Sequence, residues 1–392
     1  MSAHRLVALL VACTVLAPLA ATEGARFVGI GPARQALAGG GLADPQDGSW
    51  QIANPASLDG QAREAGLHLE VLTAQVRVAP RGALATPGAG TLEDDPVVIA
   101  GSVHYVQPWG PGTFGLALAP YAGLSLELDG GRSVLGELGG YDRHLAYAAT
   151  RLGASYALPL GGPWAVGATL CVNHASLQSD ALTRGLAQTA GEDDRDQALG
   201  AGVKIGIQYR QPRFAVAVAY ASRQWYGEFE DYGDLLPGPL DDPQTIELGL
   251  SLDLCPHCTV NTDMRWIAWS QIEALGDPDT GFGWDDQLIA GASLTARLAE
   301  GRWLARGGFA YGRSPIGEDV AFLNGLSPLI AEWHIGLGLG WRPGAALRWD
   351  LAVQHALANE VTDDGSRLGG AGAGTRLELA VTSIALGCGW RF

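Results

Sequence analysis

The sequence contains few residue combinations that could do chemistry, and the clearest of them is a cysteine pair. Cys255 and Cys258 enclose Pro256 and His257, with the Cys-x-x-Cys spacing of thiol oxidoreductases. In those enzymes the pair opens a helix, whereas here alternating residues on both sides predict a short turn between two strands. No second cysteine pair is present to complete a zinc site. We therefore predict a disulfide between Cys255 and Cys258 across this turn, and no redox activity.

Charge limits the classes of function further. The chain of 392 residues has a formal net charge of −16, which disfavours nucleic acid as a partner because phosphate binding needs a basic surface. Lys204 is the only lysine, and arginine supplies the remaining positive charge. Histidines are few, and the sequence has no glycine-rich phosphate loop and no His and Glu at metal-ligand spacing. We expect no catalytic residues, no metal site and no cofactor, so the protein is not predicted to be an enzyme.

Most of the chain alternates with a period of two. The stretch TIELGLSLDL at 245–254 places Ile and every Leu on one side and Glu, Gly, Ser and Asp on the other. This alternation is typical of a strand with one apolar face. Fourteen such segments are predicted, near residues 66–79, 96–108, 112–127, 143–159, 163–177, 198–210, 213–228, 244–254, 257–271, 285–298, 302–313, 330–341, 345–358 and 377–392.

The connections between these segments alternate between short and long. An even number of strands joined in this rhythm is typical of bacterial outer-membrane barrels, which have tight periplasmic turns and long extracellular loops. Closure also satisfies every backbone hydrogen-bonding group, as lipid requires. We therefore predict an all-β fold, a 14-stranded antiparallel transmembrane β-barrel, with a soluble many-stranded β protein as the alternative.

Aromatic residues support the barrel because they gather at the predicted strand ends, where interfacial girdles form. The C-terminal Phe392 is typical of outer-membrane barrel assembly signals. The predicted girdle residues are Trp109, Trp164, Phe214, Trp303, Trp341 and Trp390 on the short-turn side, and Tyr105, Trp225, Trp269 and Trp284 toward the long loops.

The first 22 residues have the pattern of a secretory signal peptide. His4 and Arg5 precede an apolar run from Leu6 to Leu19, and small residues follow. A first core helix and a lipoprotein signal ending before Cys13 are the alternatives. Export would place the cysteines in an oxidising compartment. Together with the barrel pattern, this predicts the outer membrane of a Gram-negative-type bacterium.

An ordered set of motifs resembles the FadL family of outer-membrane transporters of long-chain fatty acids and other hydrophobic compounds. The stretch GPARQALAGGGLADPQDGSWQIANPASLDG is similar to the family's N-terminal hatch, with its signature at Asn54, Pro55 and Ala56. The stretches YALPLGGPWAVGATL, GIQYRQPRFAVAVAYASR, MRWIAWS and WLARGGFAYGRSPI resemble later strands. The resemblance covers nearly all of the chain after the signal.

The resemblance implies that residues 23–64 fold inside the barrel of residues 65–392 as a plug. The residue types agree, because a turn-rich segment with polar side chains suits a polar lumen and Asn-Pro forms a rigid turn. A disordered tail is the alternative.

The third predicted strand contains Pro120, which cannot donate to the strand ladder, and Gly123 follows closely. The resemblance implies that a kink at Pro120, Tyr121 and Gly123 opens a lateral exit into the membrane. A bulge without a passage is the alternative.

Two further groups of residues are candidates for ligand contact. Alternation places Lys204, Arg265 and Arg306 on the inward face, together with Asp263, Asp350 and His334. A buried cation there could bind a ligand carboxylate, or it could pair with an acidic residue or the plug. The resemblance implies an outer groove on the third and fourth long loops, for which the candidates are Leu182, Leu186, Leu235, Leu236 and Leu240. Packing of these leucines as a cap on the barrel is the alternative.

These features predict passive transport of long-chain fatty acids or other hydrophobic small molecules across the outer membrane, with plug rearrangement and lateral exit at the third strand. A structural or secretion scaffold without transport is the alternative. The expected partners are a hydrophobic ligand, outer-membrane lipid and lipopolysaccharide, and we expect a monomer. Acidic runs such as GEDDRD fall in the long loops, as a solvated surface or as divalent-cation bridges to lipopolysaccharide.

Overall fold

The computed structural model describes residues 23–83, 90–128, 143–179, 183–184, 187–188, 195–233 and 236–392. The predicted signal peptide lies outside the described residues. Fourteen long strands in the described chain form one antiparallel sheet. They are β1 (Glu64–Ala79), β2 (Val97–Trp109), β3 (Gly112–Leu128), β4 (Arg143–Gly161), β5 (Trp164–Ser179), β6 (Asp196–Arg210), β7 (Phe214–Ala221), β8 (Thr245–Cys255), β9 (Cys258–Ile267), β10 (Gln287–Leu298), β11 (Trp303–Gly312), β12 (Trp333–Trp341), β13 (Leu347–Thr362) and β14 (Arg376–Arg391).

The sheet closes on itself. Each long strand pairs with its neighbours in sequence, and the last strand pairs with the first, from Glu64 opposite Arg391 to Ala79 opposite Arg376. The pairing of β6 with β7 joins the two halves of the sheet. The predicted 14-stranded antiparallel barrel is therefore confirmed, with each strand in its predicted place.

Four strand ends differ from the prediction by three residues or more, and one of them is β13, which ends at Thr362 rather than near 358. β7 ends at Ala221 rather than near 228, because the Ser222 hydroxyl accepts a hydrogen bond from the Val203 amide at 3.1 Å and the chain then leaves the ladder. The short strand Trp225–Tyr226 follows and pairs with β6. β9 ends at Ile267 because a 3₁₀ turn, Trp269–Gln271, begins soon after. β12 begins at Trp333 rather than near 330.

The alternation of the sequence matches the two faces of the wall. Outward residues such as Leu248, Leu250, Leu337 and Leu339 are large, apolar and exposed, as expected for a surface that faces lipid. The inward positions between them are mostly polar or very small. This arrangement is the reverse of a soluble protein, in which the large apolar side chains lie inside.

The aromatic prediction is correct at the short turns and partly wrong at the loops. Trp303 stacks on Trp341 at 6.0 Å between ring centroids, and Trp390 contacts Phe392 at 6.1 Å. Tyr105, which we placed toward the loops, lies 6.5 Å from Phe392 at the short-turn end. Trp269 and Trp284 lie toward the loops, but they are buried and contact each other edge-on at 5.1 Å instead of facing lipid.

Short elements complete the described chain. No helix among the described residues is long and apolar enough to span a membrane. The α-helices are α1 (Pro32–Ala36) and α2 (Glu273–Gly276), and the 3₁₀ turns are Gly48–Ile52, Pro55–Leu58, Glu230–Tyr232, Trp269–Gln271, Phe322–Asn324 and Leu368–Gly370. The remaining short strands are Leu92–Asp94, which pairs with β1, and Thr183–Arg184 with Ala187–Gln188, which pair with each other.

Candidate functional site

Residues 23–63, here called the N-terminal segment, are largely buried against the inward face of the strands. Helix α1 contacts β11 to β14, and the 3₁₀ turn Pro55–Leu58 contacts β3 to β6. The Asn54 side chain accepts a hydrogen bond from the Ala56 amide at 3.0 Å and caps this turn. The Asn-Pro-Ala triplet therefore forms the rigid turn that its residue types predict.

Glycines on the wall let this segment approach closely. A Cβ at Gly206 would lie 1.9 Å from the Asn54 side-chain oxygen, and a Cβ at Gly167 would lie 2.5 Å from the backbone of Pro55 and Ala56. A Cβ at Gly336 would lie 2.2 Å from the Gln35 carbonyl. Inward glycines thus serve as a surface on which the backbone of the N-terminal segment rests.

Buried ion pairs hold the segment to the wall. Arg34 in α1 pairs with Glu247 on β8 at 2.8 Å. Arg348 on β13 pairs with Asp47 at 3.0 Å, and it also contacts Glu64 and Asp350. Such pairs stabilise a contact chiefly because an unpaired buried charge is so costly. The network links two parts of the N-terminal segment, at Arg34 and Asp47, to several strands.

The three predicted lumen cations all face inward, but their environments differ. Arg306 pairs with Asp350 at 2.8 Å and donates to Gln46 of the N-terminal segment at 2.6 Å. Arg265 pairs with Glu247 at 3.0 Å and with Glu23.

Lys204 instead donates to the Ile52 carbonyl at 2.6 Å and forms no ion pair within the described chain. The three inward residues predicted beside these cations also face inward. Asp263 accepts the Gly41 and Leu42 amides, Asp350 is paired as above, and His334 is buried.

The pairing of β3 with its two neighbouring strands changes near Pro120. The ladder between β2 and β3 ends with Val103 opposite Leu118, although both strands continue. Beyond that point β3 shifts register against β4, where Pro120 is opposite Thr150, Ala122 is opposite Ala149 and Tyr121 is an extra residue. The N-terminal segment pairs with β3 at this point: the Phe27 amide donates to the Tyr121 carbonyl at 3.0 Å, and the Gly123 amide donates to the Ala25 carbonyl at 2.8 Å. The predicted kink residues thus lie where the strand ladder is interrupted.

A polar network joins the interrupted strand to the N-terminal segment through Asp242. Arg26 approaches one carboxylate oxygen of Asp242 at 2.6 Å, and Arg151 on β4 approaches the other at 2.9 Å. The Arg151 guanidinium also lies 3.9 Å from the centre of the Tyr121 ring, and the Tyr121 hydroxyl bonds to the Tyr226 hydroxyl. Asp242 therefore connects β3, β4 and the N-terminal segment.

Three cavities lie around this network. The outer cavity, about 60 Å³, is mainly apolar and is lined by side chains that include Leu124, Leu145, Tyr147, Trp269 and Trp284. The central cavity, about 100 Å³, is polar, with five cationic side chains (Arg26, Arg34, Arg151, Lys204 and Arg265) and three carboxylates (Glu23, Asp242 and Glu247). The wall cavity, about 10 Å³, lies beside Pro120.

Neighbouring cavities share a lining residue. Asp242 lines both the outer and the central cavity, and Ile30 lines both the central and the wall cavity. A fourth, polar cavity of about 570 Å³ opens among the short turns and contains Asp59, Arg213 and Arg297.

The predicted groove leucines are only partly described. Leu236 and Leu240 line the outer cavity. Leu182, Leu186 and Leu235 lie outside the described residues. Sequence reasoning missed Trp269, Trp284 and Phe282, which line the same cavity, because it assigned the two tryptophans to the lipid interface. It also missed Asp242, whose LDDP context resembles any acidic loop.

The cysteine turn forms as predicted. Cys255 and Cys258 are opposite each other at the turn between β8 and β9. Both are free thiols in this structure, and the His257 amide donates to the Cys255 sulfur at 3.4 Å. The disulfide stays a prediction.

No family model and no curated protein matches the sequence. Solved structures match over nearly the whole chain. The toluene transporter TodX of Pseudomonas putida has 16% identity and a TM-score of 0.73, with 93% of this chain and 99% of that chain covered. The toluene transporter TbuX of Ralstonia pickettii has 17% identity and a TM-score of 0.69, with the same coverage. A FadL homologue of Pseudomonas aeruginosa has 13% identity and a TM-score of 0.67, with 96% of this chain and 100% of that chain covered. The resemblance to the FadL family is thereby confirmed at the level of the fold.

Proposed function

We propose that this protein lies in the outer membrane of a Gram-negative-type bacterium and passively conducts small hydrophobic molecules across it. The large apolar side chains on the outer face of the closed barrel support the location. The fold shared with toluene transporters and a FadL homologue supports the class of cargo. Lipopolysaccharide contact and a monomeric state remain predictions.

One observation carries the proposal: an apolar cavity on the loop side leads toward an interrupted strand ladder. The outer cavity has aromatic and aliphatic walls, as ligand sites usually do. The β2–β3 ladder stops at Leu118, and the wall cavity lies beside Pro120, which follows soon after on β3. A molecule that entered at the loops would thus have an exit toward lipid.

In this proposal the N-terminal segment is the plug, and it must move for transport. It pairs with β3 at Tyr121 and Gly123, and Ile30 lines both the central and the wall cavity. A small displacement of residues 25–30 would release both contacts. The ion pairs of Arg34 and the Asn54 turn lie farther along the segment and can stay in place.

Lys204 is the cation best placed to meet a polar head group. Arg265 and Arg306 already have carboxylate partners, whereas Lys204 lines the central cavity and is bonded to a carbonyl. A carboxylate ligand could therefore bind there without breaking an ion pair. Fatty acids and uncharged hydrocarbons both remain candidate cargoes on this ground.

The test is uptake into cells that lack their own transporter, with and without this protein, using radiolabelled toluene and radiolabelled oleate. We expect saturable, protein-dependent uptake of at least one compound. The blocking variant Ala100→Phe fills the wall cavity, which Ala100 lines, and should abolish that uptake. The matched control is Ala290→Phe, because Ala290 is exposed on the outward face of β10.

Two outcomes would contradict the proposal. Normal uptake by a correctly folded Ala100→Phe variant would exclude exit through the wall cavity. Absence of uptake for both compounds by the unmodified barrel would favour the scaffold role instead.

A further inference from the structure

The wall cavity contains one carboxylate that has no cation beside it. Glu70 lies on the inward row of β1, opposite Ala100 on β2 and Ala385 on β14, and all three residues line the cavity. Glu70 forms no ion pair with any other residue that the structure describes. The inward carboxylates of Glu64, Glu247 and Asp350, in contrast, are all paired with arginine. Asp263 also lacks an arginine partner, but its carboxylate accepts the Gly41 and Leu42 amides, and among the described carboxylates Glu70 alone lines the wall cavity.

The wall cavity reaches both faces of the wall. His68, Glu70 and Ser102 belong to the inward rows of β1 and β2. Leu69 and Gly101 form an opposed pair on the outward row, and the Leu69 side chain is 47% exposed. A molecule that passes from lumen to lipid at this point must therefore pass close to the Glu70 side chain.

A carboxylate without a cation partner in such a narrow passage repels anionic molecules and not uncharged ones. Like charges repel more strongly in a poorly hydrated passage than in water, and the carboxylate cannot be bypassed in a cavity of about 10 Å³. An uncharged molecule does not experience this repulsion. The central cavity has the opposite bias, with five cationic side chains against three carboxylates. An anion would thus be attracted to the central cavity and opposed at the wall.

We propose that Glu70 is a specificity-determining residue that makes the lateral exit selective for uncharged hydrophobic molecules over carboxylates. This inference rests on the lateral route of the proposed function and deepens it. It predicts that uncharged hydrocarbons pass through the protein and that fatty carboxylates bind in the lumen but leave through the wall slowly.

The experiment compares uptake of radiolabelled toluene and oleate by the same cells at pH 8.5, so that the carboxyl group of Glu70 is ionised. Glu70→Gln keeps the shape of the side chain and removes its charge, and Glu70→Asp keeps the charge. We expect Glu70→Gln to raise oleate uptake relative to toluene uptake by about tenfold, because the repulsion is removed. Glu70→Asp should keep the ratio of the unmodified protein. Toluene uptake should stay unchanged in both variants.

The control for negative charge in general is Glu93→Gln, because Glu93 is an exposed acid on the short strand that pairs with β1. Heat-dependent mobility on gels confirms that each barrel is folded. An unchanged oleate-to-toluene ratio in Glu70→Gln would overturn the charge filter and leave the transport proposal intact. A fall in toluene uptake would also overturn it, because it would show that Glu70 supports the wall structure. Absence of uptake of both compounds by the unmodified protein would overturn both proposals.

Discussion

At the scale of single residues, Asp242 is the side chain on which the arrangement of the lumen depends most directly. It lines both the outer and the central cavity, and its two oxygens hold arginines from different parts of the chain, Arg26 and Arg151. Its pairing thus joins the N-terminal segment to the barrel wall. Nothing in its local sequence distinguishes it from other loop acids, because partners more than 90 residues away create its environment.

Replacement of Asp242 by Asn should loosen the N-terminal segment. The change leaves Arg26 and Arg151 buried without a charged partner, which typically costs about 3–5 kcal/mol. We expect faster hydrogen exchange in residues 25–30, measured by mass spectrometry, while the strands keep their protection. Asp279→Asn is the control, because Asp279 is an exposed loop acid. Unchanged exchange in residues 25–30 would show that Asp242 does not anchor the segment.

Asp47 provides a pH-dependent contact farther along the N-terminal segment. Burial alone would raise the pKa of Asp47, but the neighbouring Arg348 and histidines hold it below its usual range. Because this folded-state pKa is below the unfolded value of about 3.9, the stabilisation is present above that pH and is lost as the pH falls through the folded pKa.

Asp47→Asn should therefore lower stability at neutral pH by about 1–3 kcal/mol, the usual cost of disrupting a buried charged hydrogen bond. The measurement is the denaturant midpoint of the barrel in lipid vesicles from pH 7 to pH 3. The difference between variant and unmodified protein should shrink below pH 4. A difference that is independent of pH would exclude the charge of Asp47 as the cause.

At the scale of elements, the strands were predictable and their interruptions were not. Period-two alternation identified all fourteen strands, because a closed barrel with an apolar outer face and a polar inner face imposes the same pattern on each of them. The break after Ala221 was missed, since it depends on a hydrogen bond between Ser222 and a neighbouring strand. Pro120 was recognisable because a proline cannot donate in any ladder, whatever its tertiary context.

The turn between β8 and β9 carries a prediction of its own. Cys255 and Cys258 are opposed across a two-residue turn, and oxidation in an exported protein should join them. Alkylation without reductant should modify Cys171 and Cys388 but neither turn cysteine, and reduction should make both available to the reagent. Mass spectrometry of the unfolded protein measures this. Alkylation of all four residues without reductant would show that the turn stays reduced.

At the scale of the whole molecule, the sequence predicted the facing of the lumen charges but not their partners. Lys204, Arg265 and Arg306 all face inward, as alternation requires, yet Arg265 and Arg306 bind carboxylates distant in the sequence. The sequence alone makes the three cations equivalent candidates for ligand contact. Only the closed barrel shows which of them already have a carboxylate partner. The same holds for the cavities, which form between strands, loops and the N-terminal segment together.

The order of the cavities leads to a last prediction, which concerns Ile30. This side chain lines both the central and the wall cavity, so Ile30→Ala should join them into one passage. We expect faster uptake of toluene at limiting concentration, because movement of the N-terminal segment would no longer be required. Val28→Ala is the matched control, since Val28 is a buried apolar residue of the same segment that lines neither cavity. Equal uptake by the two variants would mean that Ile30 does not limit transport and that the barrier lies elsewhere, for example at Asp242.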